Sequence, residues 1–260
     1  MASTSKRKVV LITGATGGIG RATALAFAKE GSYDLALHYN SANEQTRDKL
    51  ASEVKDVAGI SSISIALFQA DLGNYDSVRQ LHKQAISELG NIDVLFNNAG
   101  SNGGHSGVQS LADVPIDAFE RSWKINTGSG ILLAQLCLPH MEAQEWGRII
   151  FDSSVAAFTG GVVGPHYASS KSAQHGFVHW LANSVAKKGV TVNAVAPALI
   201  GGTNMIGDAS DEETQKKIAQ RIPVGRLGRP EEIADTIMWM VKSAYLTNKV
   251  IVLDGGYYPY

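Results

Sequence analysis

The sequence predicts an α/β fold: a doubly wound, parallel seven-stranded sheet with helices on both faces. Three observations carry this. Short apolar runs alternate with helical patterns from residue 8 onward. The runs are continuous, as in VVLI and DVLF, which marks strands covered on both faces. A cluster of glycines stands directly between the first run and the first helical pattern. Repeated β-α units imply right-handed crossovers and a sheet wound both ways. No linker, repeat or low-complexity segment breaks the pattern, so residues 1–260 are expected to form one domain.

The first strand is expected at Lys8–Thr13, where VVLIT runs into glycines. Helix Ile19–Glu30 follows and stops at Gly31, suited to a left-handed cap. Strand Asp34–Tyr39 (DLALHY) leads to helix Asn43–Val57. Ser62–Gln69 is the third strand, and Tyr75–Leu89 the helix that Gly90 closes. DVLF places the fourth strand at Asp93–Asn97, before a long helix at Pro115–Met141. Gly147–Asp152 is the fifth strand, His166–Lys187 a helix and Thr191–Ala196 the sixth strand. Helices Asp211–Arg221 and Glu231–Ser243 follow, the second with Pro230 in its first turn. Lys249–Leu253 completes the sheet.

Composition bounds the partners. The formal charge is −1, so nothing points to nucleic acid or a membrane surface held by bulk charge. An apolar fraction of 44% suits a sizeable core. The single cysteine, Cys137, excludes an intramolecular disulfide and fits a reducing compartment. The start MASTSKRK is short and basic with no apolar region to follow, so no signal peptide is expected. The longest weakly polar stretch, Thr127–Pro139, is too short to span a bilayer. The expectation is a cytoplasmic protein.

The segment TGATGGIG, Thr13–Gly20, places Gly14, Gly18 and Gly20 at the opening of the first helix. Glycines there allow a tight turn and close backbone approach to a phosphate, and the helix-start amides favour an anion. The spacing is TGxxxGIG rather than GxGxxG. NNAG follows at Asn97–Gly100, then Asn126 in KIN, then Ser154, then the YxxxK pair Tyr167 and Lys171. VNAVAP at Val192–Pro197, GRLGRPEEIA at Gly225–Ala234 and VLDGG at Val252–Gly256 complete a series in order. With these residues the chain resembles the short-chain dehydrogenase/reductase family, along essentially its whole length. The resemblance implies a Rossmann fold and a dinucleotide-binding and catalytic domain with a substrate lid around residues 199–221.

Free tyrosine, with a pKa of roughly 10, is a poor acid–base catalyst near neutrality. A nearby cation favours the phenolate. On a shared helix Tyr167 and Lys171, four residues apart, lie on one face, so the ammonium can sit near the phenol. Ser154 can donate to a substrate oxygen as charge develops there. The resemblance implies these same roles: Tyr167 as general acid in reduction and base in oxidation, Lys171 lowering its pKa and holding nicotinamide ribose hydroxyls, Ser154 polarising the carbonyl. It implies further that Asn126 holds a water linking Lys171 to solvent. Ser154, not Ser153, has the family's spacing from the tyrosine.

The cofactor contacts expected are Gly14, Thr16, Gly18, Ile19, Gly20, Tyr39, Asn40, Ser41, Asp71, Leu72, Asn98, Ala99, Gly100, Tyr167, Lys171, Pro197, Ile200 and Thr203. An acid at the end of strand two would select NAD(H), but Tyr39, Asn40 and Ser41 stand there, with Arg47 nearby. NADP(H) is therefore expected over NAD(H), although the glycine turn lacks the basic residue of many NADP-preferring relatives. Asn40 and Ser41 could also start a turn and cap the next helix, and Asp71 could cap the one after. Ala198 replaces the usual glycine after Pro197, and Thr203 falls one residue late. The Gly201–Gly202 pair is a candidate hinge for the lid.

His175 and His179 are four apart but lack a third ligand, so no metal is expected. Cys137, in LLAQLCLPH, reads as a buried small hydrophobe. The expected substrate region is Ser101–Gln109, Val155–His166 and the lid, offering His105, Phe158, Val162, Val163, His166, Met205 and Ile206. That mostly apolar set suggests a neutral ketone. The leading expectation is an NADPH-dependent carbonyl reductase of a ketone or 3-oxoacyl-type substrate, reversible to a secondary alcohol. The alternatives are an NAD-dependent alcohol, polyol or steroid dehydrogenase and a cofactor-binding sensor without turnover. The resemblance also implies a homotetramer or dimer. The ending YYPY is expected either to reach a neighbouring subunit or to close the active site.

Overall fold

Seven parallel strands form one sheet in the computed structural model, which describes residues 7–59, 62–203 and 212–258. The strands are β1 Lys8–Ile12, β2 Tyr33–Tyr39, β3 Ile65–Gln69, β4 Ile92–Asn97, β5 Gly147–Asp152, β6 Val190–Pro197 and β7 Lys249–Leu253. Their order is β3-β2-β1-β4-β5-β6-β7. The chain winds outward from β1 to β3, then returns to the far side of β1 and winds the other way. The connections leaving β1 and β4 part in opposite directions, so a crevice opens at the carboxyl ends of those strands.

The continuous apolar runs are explained by burial on both faces. Val9 and Leu11 of β1 pack toward Leu81, Leu133, Met141 and Val178. Val10 and Ile12 point the other way, to Phe27, Leu50, Ile233 and Met240. The helices of the second face are α1 Gly18–Glu30, α2 Glu44–Ala58 and α9 Pro230–Lys242. Those of the first are α3 Tyr75–Glu88, α5 Ser129–Ala143 and α7 Pro165–Val185, with α4 Ile116–Trp123 against α7. Gly31 caps α1 in the left-handed conformation, and Pro230 opens α9, as their sequence positions predict.

The third strand starts three residues later than expected, at Ile65. Ser64 instead ties to Asp34, its N–H donating to the carboxylate at 2.7 Å. Asn40 and Ser41 cap nothing: Asn43 caps α2, accepting from the Thr46 N–H at 2.9 Å. Asp71 is likewise relieved of capping by Asn74, which accepts from Asp76 and Ser77.

The long helix expected at Pro115–Met141 is two helices joined by a π turn at Lys124–Gly128. A π turn inserts a residue and frees a carbonyl from the helical ladder. Here the Asn126 carbonyl accepts from Gln174 Nε2 of α7 at 2.6 Å, a tertiary bond that local periodicity does not record. A one-turn helix, α6 Ala156–Thr159, lies in the segment expected to be loop, and α8, Glu212–Ala219, is shorter than predicted. Among the described residues no helix is long and apolar enough to cross a membrane.

Candidate active site

A cleft of about 1410 Å³ lies at the strands' carboxyl ends. Ordinary small-ligand pockets hold about 300–1,000 Å³, so this one has room for an extended ligand and a second molecule. Its first end is built mainly of backbone. Gly14 has φ +66°, and a Cβ there would stand 3.0 Å from Asn98 Nδ2 and 3.1 Å from Ala99 Cα. Gly17, the N-cap of α1, offers no side chain to its first-turn amides. Gly17, Gly18 and Ile19 border the cleft together with Thr16. Uncapped amides beside a turn with no side chains fit a diphosphate. Gly20 does not reach the cleft; a Cβ there would collide with the Gly14 carbonyl oxygen, so its work is close packing of helix on strand.

The turn is braced from three sides. Thr13 Oγ1 accepts from the backbone N–H of Asn98 at 2.9 Å and of Ala99 at 3.0 Å. Asn98 Nδ2 donates back to the carbonyls of Thr13 and Gly14, at 2.7 and 3.1 Å. His38 Nδ1 accepts from the Gly14 N–H at 3.1 Å while Nε2 donates to the Ala70 carbonyl at 3.0 Å. Burial lowers the His38 pKa to about 4, so the ring is neutral with its proton on Nε2. Sequence reading gave His38 no role, although a lone polar residue inside LALHY was a visible signal.

Asn40 and Ser41 border the cleft beside Asn43 and Thr46. Tyr39 does not: its hydroxyl accepts from Arg47 Nη1 at 2.8 Å, and the guanidinium lies over its ring. Asp71, Leu72, Asn98, Ala99 and Gly100 border the middle of the cleft. Asp71 Oδ1 accepts from the Gly73 N–H at 2.9 Å and stands 4.0 Å from Arg121. Pro197, Ile200 and Thr203 border it from β6, with Thr203 Oγ1 donating to the Ile200 carbonyl at 2.8 Å. Ala198 is tolerated in place of glycine because its backbone does not enter the positive-φ region.

The opposite end is built of buried side chains. Tyr167 and Lys171 lie on one face of α7, and Ser154 faces them from the turn after β5. Ser154 Oγ accepts from the Ala156 N–H at 3.1 Å, and its hydroxyl favours ionisation of Tyr167. Lys171 is 1% exposed. Its Nζ donates to the Asp152 backbone carbonyl and lies 5.7 Å from the Tyr167 ring centre. Burial pushes the Lys171 pKa down, and the Asp152 charge opposes this. Burial pushes the Tyr167 phenol up, the Asp152 charge adds to that, and Ser154 counteracts both. Burial also raises the Asp152 carboxyl to about 6, against the pull of Lys171.

Asn126 sits behind this wall rather than in the cleft. Its Oδ1 accepts from the Ser101 N–H at 2.7 Å, and Nδ2 donates to the Ser101 carbonyl at 2.9 Å and Ser170 Oγ at 2.8 Å. With its backbone carbonyl accepting from Gln174, it ties α7 to the loop after β4.

At the substrate end Val155, Val162, Val163, Leu199 and Ile218 meet Arg221, Tyr257 and Tyr258. Tyr257 and Tyr258 of the tail thus border the cleft. His166 turns away: it is buried beside Phe119 and His105, and Nε2 donates to the Asn102 carbonyl at 2.7 Å. His105 and Phe158 do not border the cleft either, and Met205 and Ile206 lie outside the described residues. His175 Nε2 bonds Ser153 Oγ at 2.7 Å, and His179 Nδ1 pairs with Asn248 at 2.5 Å. Among the described residues no three His, Cys, Asp or Glu side chains gather as metal ligands would. Cys137 is buried, which pushes its thiol pKa far up.

A doubly wound parallel sheet with a glycine turn at its switch point defines a class, the dinucleotide-binding proteins of Rossmann type. Residues 8–214 match the short chain dehydrogenase family model, and the chain belongs to the short-chain dehydrogenase/reductase family. It is 34% identical to a 3-oxoacyl-[acyl-carrier-protein] reductase of Aquifex aeolicus, over 96% of each chain. It is 33% identical to an L-rhamnose 1-dehydrogenase (NADP(+)) of Thermoplasma acidophilum, again over 96% of each. Among solved structures, a double mutant of a Serratia marcescens short-chain dehydrogenase/reductase superposes with a TM-score of 0.84 at 29% identity, covering 96% of this chain and 97% of that one.

Proposed function

We propose that the chain is an NADP(H)-dependent carbonyl reductase that interconverts a ketone or 3-oxoacyl-type substrate and its secondary alcohol. The carrying observation is that Ser154, Tyr167 and Lys171 share one wall of the cleft whose other end is the glycine turn. Bound reduced cofactor supplies a hydride to the carbonyl carbon. Ser154 donates a hydrogen bond to the carbonyl oxygen and orients it. The Tyr167 hydroxyl gives its proton to that oxygen as the C=O π bond breaks, and its phenolate is left beside the Lys171 ammonium. Oxidation of the alcohol runs the same transfers backward.

NADP(H) is supported by the neutral end of β2. Asn40 and Ser41 face the cleft where a selective carboxylate would repel a 2′-phosphate, and Arg47 stands close behind Tyr39. The name of the Thermoplasma relative agrees. That relative also favours a second reading, a sugar dehydrogenase. We further propose a cytoplasmic single-domain enzyme that assembles as a homotetramer or dimer, since Trp123 of α4 and Trp180 of α7 are exposed apolar surface on the helices expected to pair.

The test is turnover with NADPH and with NADH, side by side, on aryl ketones, 3-oxoesters and quinones, with L-rhamnose and NADP⁺ in parallel. Faster reduction with NADPH is expected, and Asn40→Asp should shift the preference toward NADH by about tenfold or more through charge repulsion. Turnover with NADH alone overturns the cofactor assignment. Turnover of L-rhamnose alone overturns the ketone assignment.

A further inference from the structure

Asp152 is the last residue of β5, an interior strand, and it borders the cleft together with Ser153, Ser154, Tyr167 and Lys171. Its Oδ1 is buried without a hydrogen-bond partner. Lys171 meets it through the backbone carbonyl, so the ammonium's bond does not go to that carboxyl oxygen. A buried acid left so incompletely satisfied costs stability, and an apolar residue on an interior strand would cost less. Its neighbour across β6 is Val195, and the β4 ladder ends one residue earlier, at Asn97 opposite Phe151, so neither strand brings it a titratable partner. On α7 its charge acts on Lys171 and Tyr167, which border the same cleft, with neutral His175 one turn further along, bonded to Ser153.

Resting on the reductase reading, we propose that Asp152 is a positioning residue for the proton transfer: its buried carboxylate disfavours the Tyr167 phenolate and so sets the pH at which the site changes from giving a proton to taking one. Two charges then act on the phenol in opposite senses. Lys171 favours loss of the proton and Asp152 favours its retention. The carboxyl, held at about 6 by burial, is ionised at neutral pH, so the opposition is in force where the enzyme works. Retention is what reduction needs, because the phenol is the proton donor.

The test is the pH dependence of secondary-alcohol oxidation at saturating NADP⁺ in Asp152→Asn and Asp152→Leu. Asparagine keeps the shape of the side chain, and leucine removes the buried polar group altogether. Relative to each enzyme's own alkaline plateau, the acid limb should move down by about one pH unit, an approximately tenfold higher relative rate on that limb. An unmoved limb overturns the proposal. A limb moved upward also overturns it, because Asp152 would then act chiefly by keeping Lys171 charged. If no alcohol or ketone is turned over, the reductase reading has failed, and Tyr167 is titrated directly. Tyrosinate absorbance of the NADP⁺-containing protein, taken as the difference from Tyr167→Phe, should show the same downward shift in both Asp152 variants. An unchanged titration overturns the proposal independently of turnover.

Discussion

The two ends of the cleft are made of different materials. The glycine end presents backbone: Gly14, Gly17 and Gly18 border it without side chains, and His38, Thr13 and Asn98 brace the turn from behind. The tyrosine end presents side chains, with Tyr167 and Lys171 buried on α7, Asp152 at the end of β5 and two serine hydroxyls just after it. A backbone surface binds whatever carries a diphosphate and tolerates little added volume. A side-chain surface carries chemistry that single atoms can abolish. Damage at the two ends should therefore look different, as lost binding and stability at one and lost turnover at the other.

The largest effect belongs to the tyrosine end. Tyr167→Phe removes one oxygen and should cut ketone reduction by about 10²–10⁴-fold, the usual share of a general acid. Cofactor affinity, measured by quenching of protein fluorescence, should change far less. Equal losses in both would place Tyr167 in binding rather than proton transfer.

At the glycine end, His38 makes stability depend on pH. Folded His38 takes a proton only near pH 4, whereas the unfolded chain takes it near 6.5. Between those values the unfolded state binds more protons, so stability is present above 6.5 and falls as the pH drops toward 4. The loss from this residue is roughly 3 kcal/mol at the lower limit. Half-buried His175 adds a loss of the same sign. Denaturant unfolding at pH 7.5 and 4.5 should show the decline, and His38→Gln, which keeps a donor and an acceptor but cannot titrate, should make it smaller. An equal decline in His38→Gln would assign the pH dependence elsewhere.

Next in size is Gly18→Val. A Cβ there would stand 2.6 Å from the Gly202 carbonyl and 3.0 Å from Thr203 Cγ2, in the segment that follows β6. Overpacking of this kind costs about 1–3 kcal/mol. A fall in Tm of roughly 2–10 °C should accompany weaker cofactor binding. Gly176→Ala, on α7 with nothing within 4 Å of the added atom, should instead leave Tm level or raise it. If both substitutions are equally tolerated, the close approach of Gly202 and Thr203 to the glycine turn is not what holds this end.

What could be read in the sequence follows the same division. The strands, their parallel order and the glycine turn are written in local runs and spacings, and the structure has them within a few residues. Tyr167 and Lys171 were legible because a helix puts residues four apart on one face. Tertiary bonds left no local trace. Gln174 reaches the Asn126 carbonyl at the π turn that divides the long helix, and Arg47 pairs with the Tyr39 hydroxyl outside the cleft. Asn43 takes the cap that Asn40 and Ser41 could have filled, since any of three adjacent polar residues suits the motif. Asp152 closes an apolar strand as a conspicuous charge, yet only its burial beside Lys171 gives that charge something to do.

The smallest effect tests the region that belongs to neither end. Asp254 anchors the tail, accepting from the Gly256 N–H at 2.9 Å and the Tyr258 N–H at 2.7 Å. Tyr258 is thereby stacked on Phe158 at 6.4 Å between ring centres, on the substrate side of the cleft. An aromatic pair of this kind is worth about 0.5–1.5 kcal/mol beyond the area it buries. Tyr258→Ala should therefore raise KM for the best ketone of the panel by about 2–10-fold, with cofactor affinity unchanged. Because Tyr258 stacks on Phe158 and carries no part of the Tyr167–Lys171 pair, the pH profile should stay where it is. A shifted profile would join the tail to the proton-transfer wall, while an unchanged KM would remove Tyr258 from substrate binding.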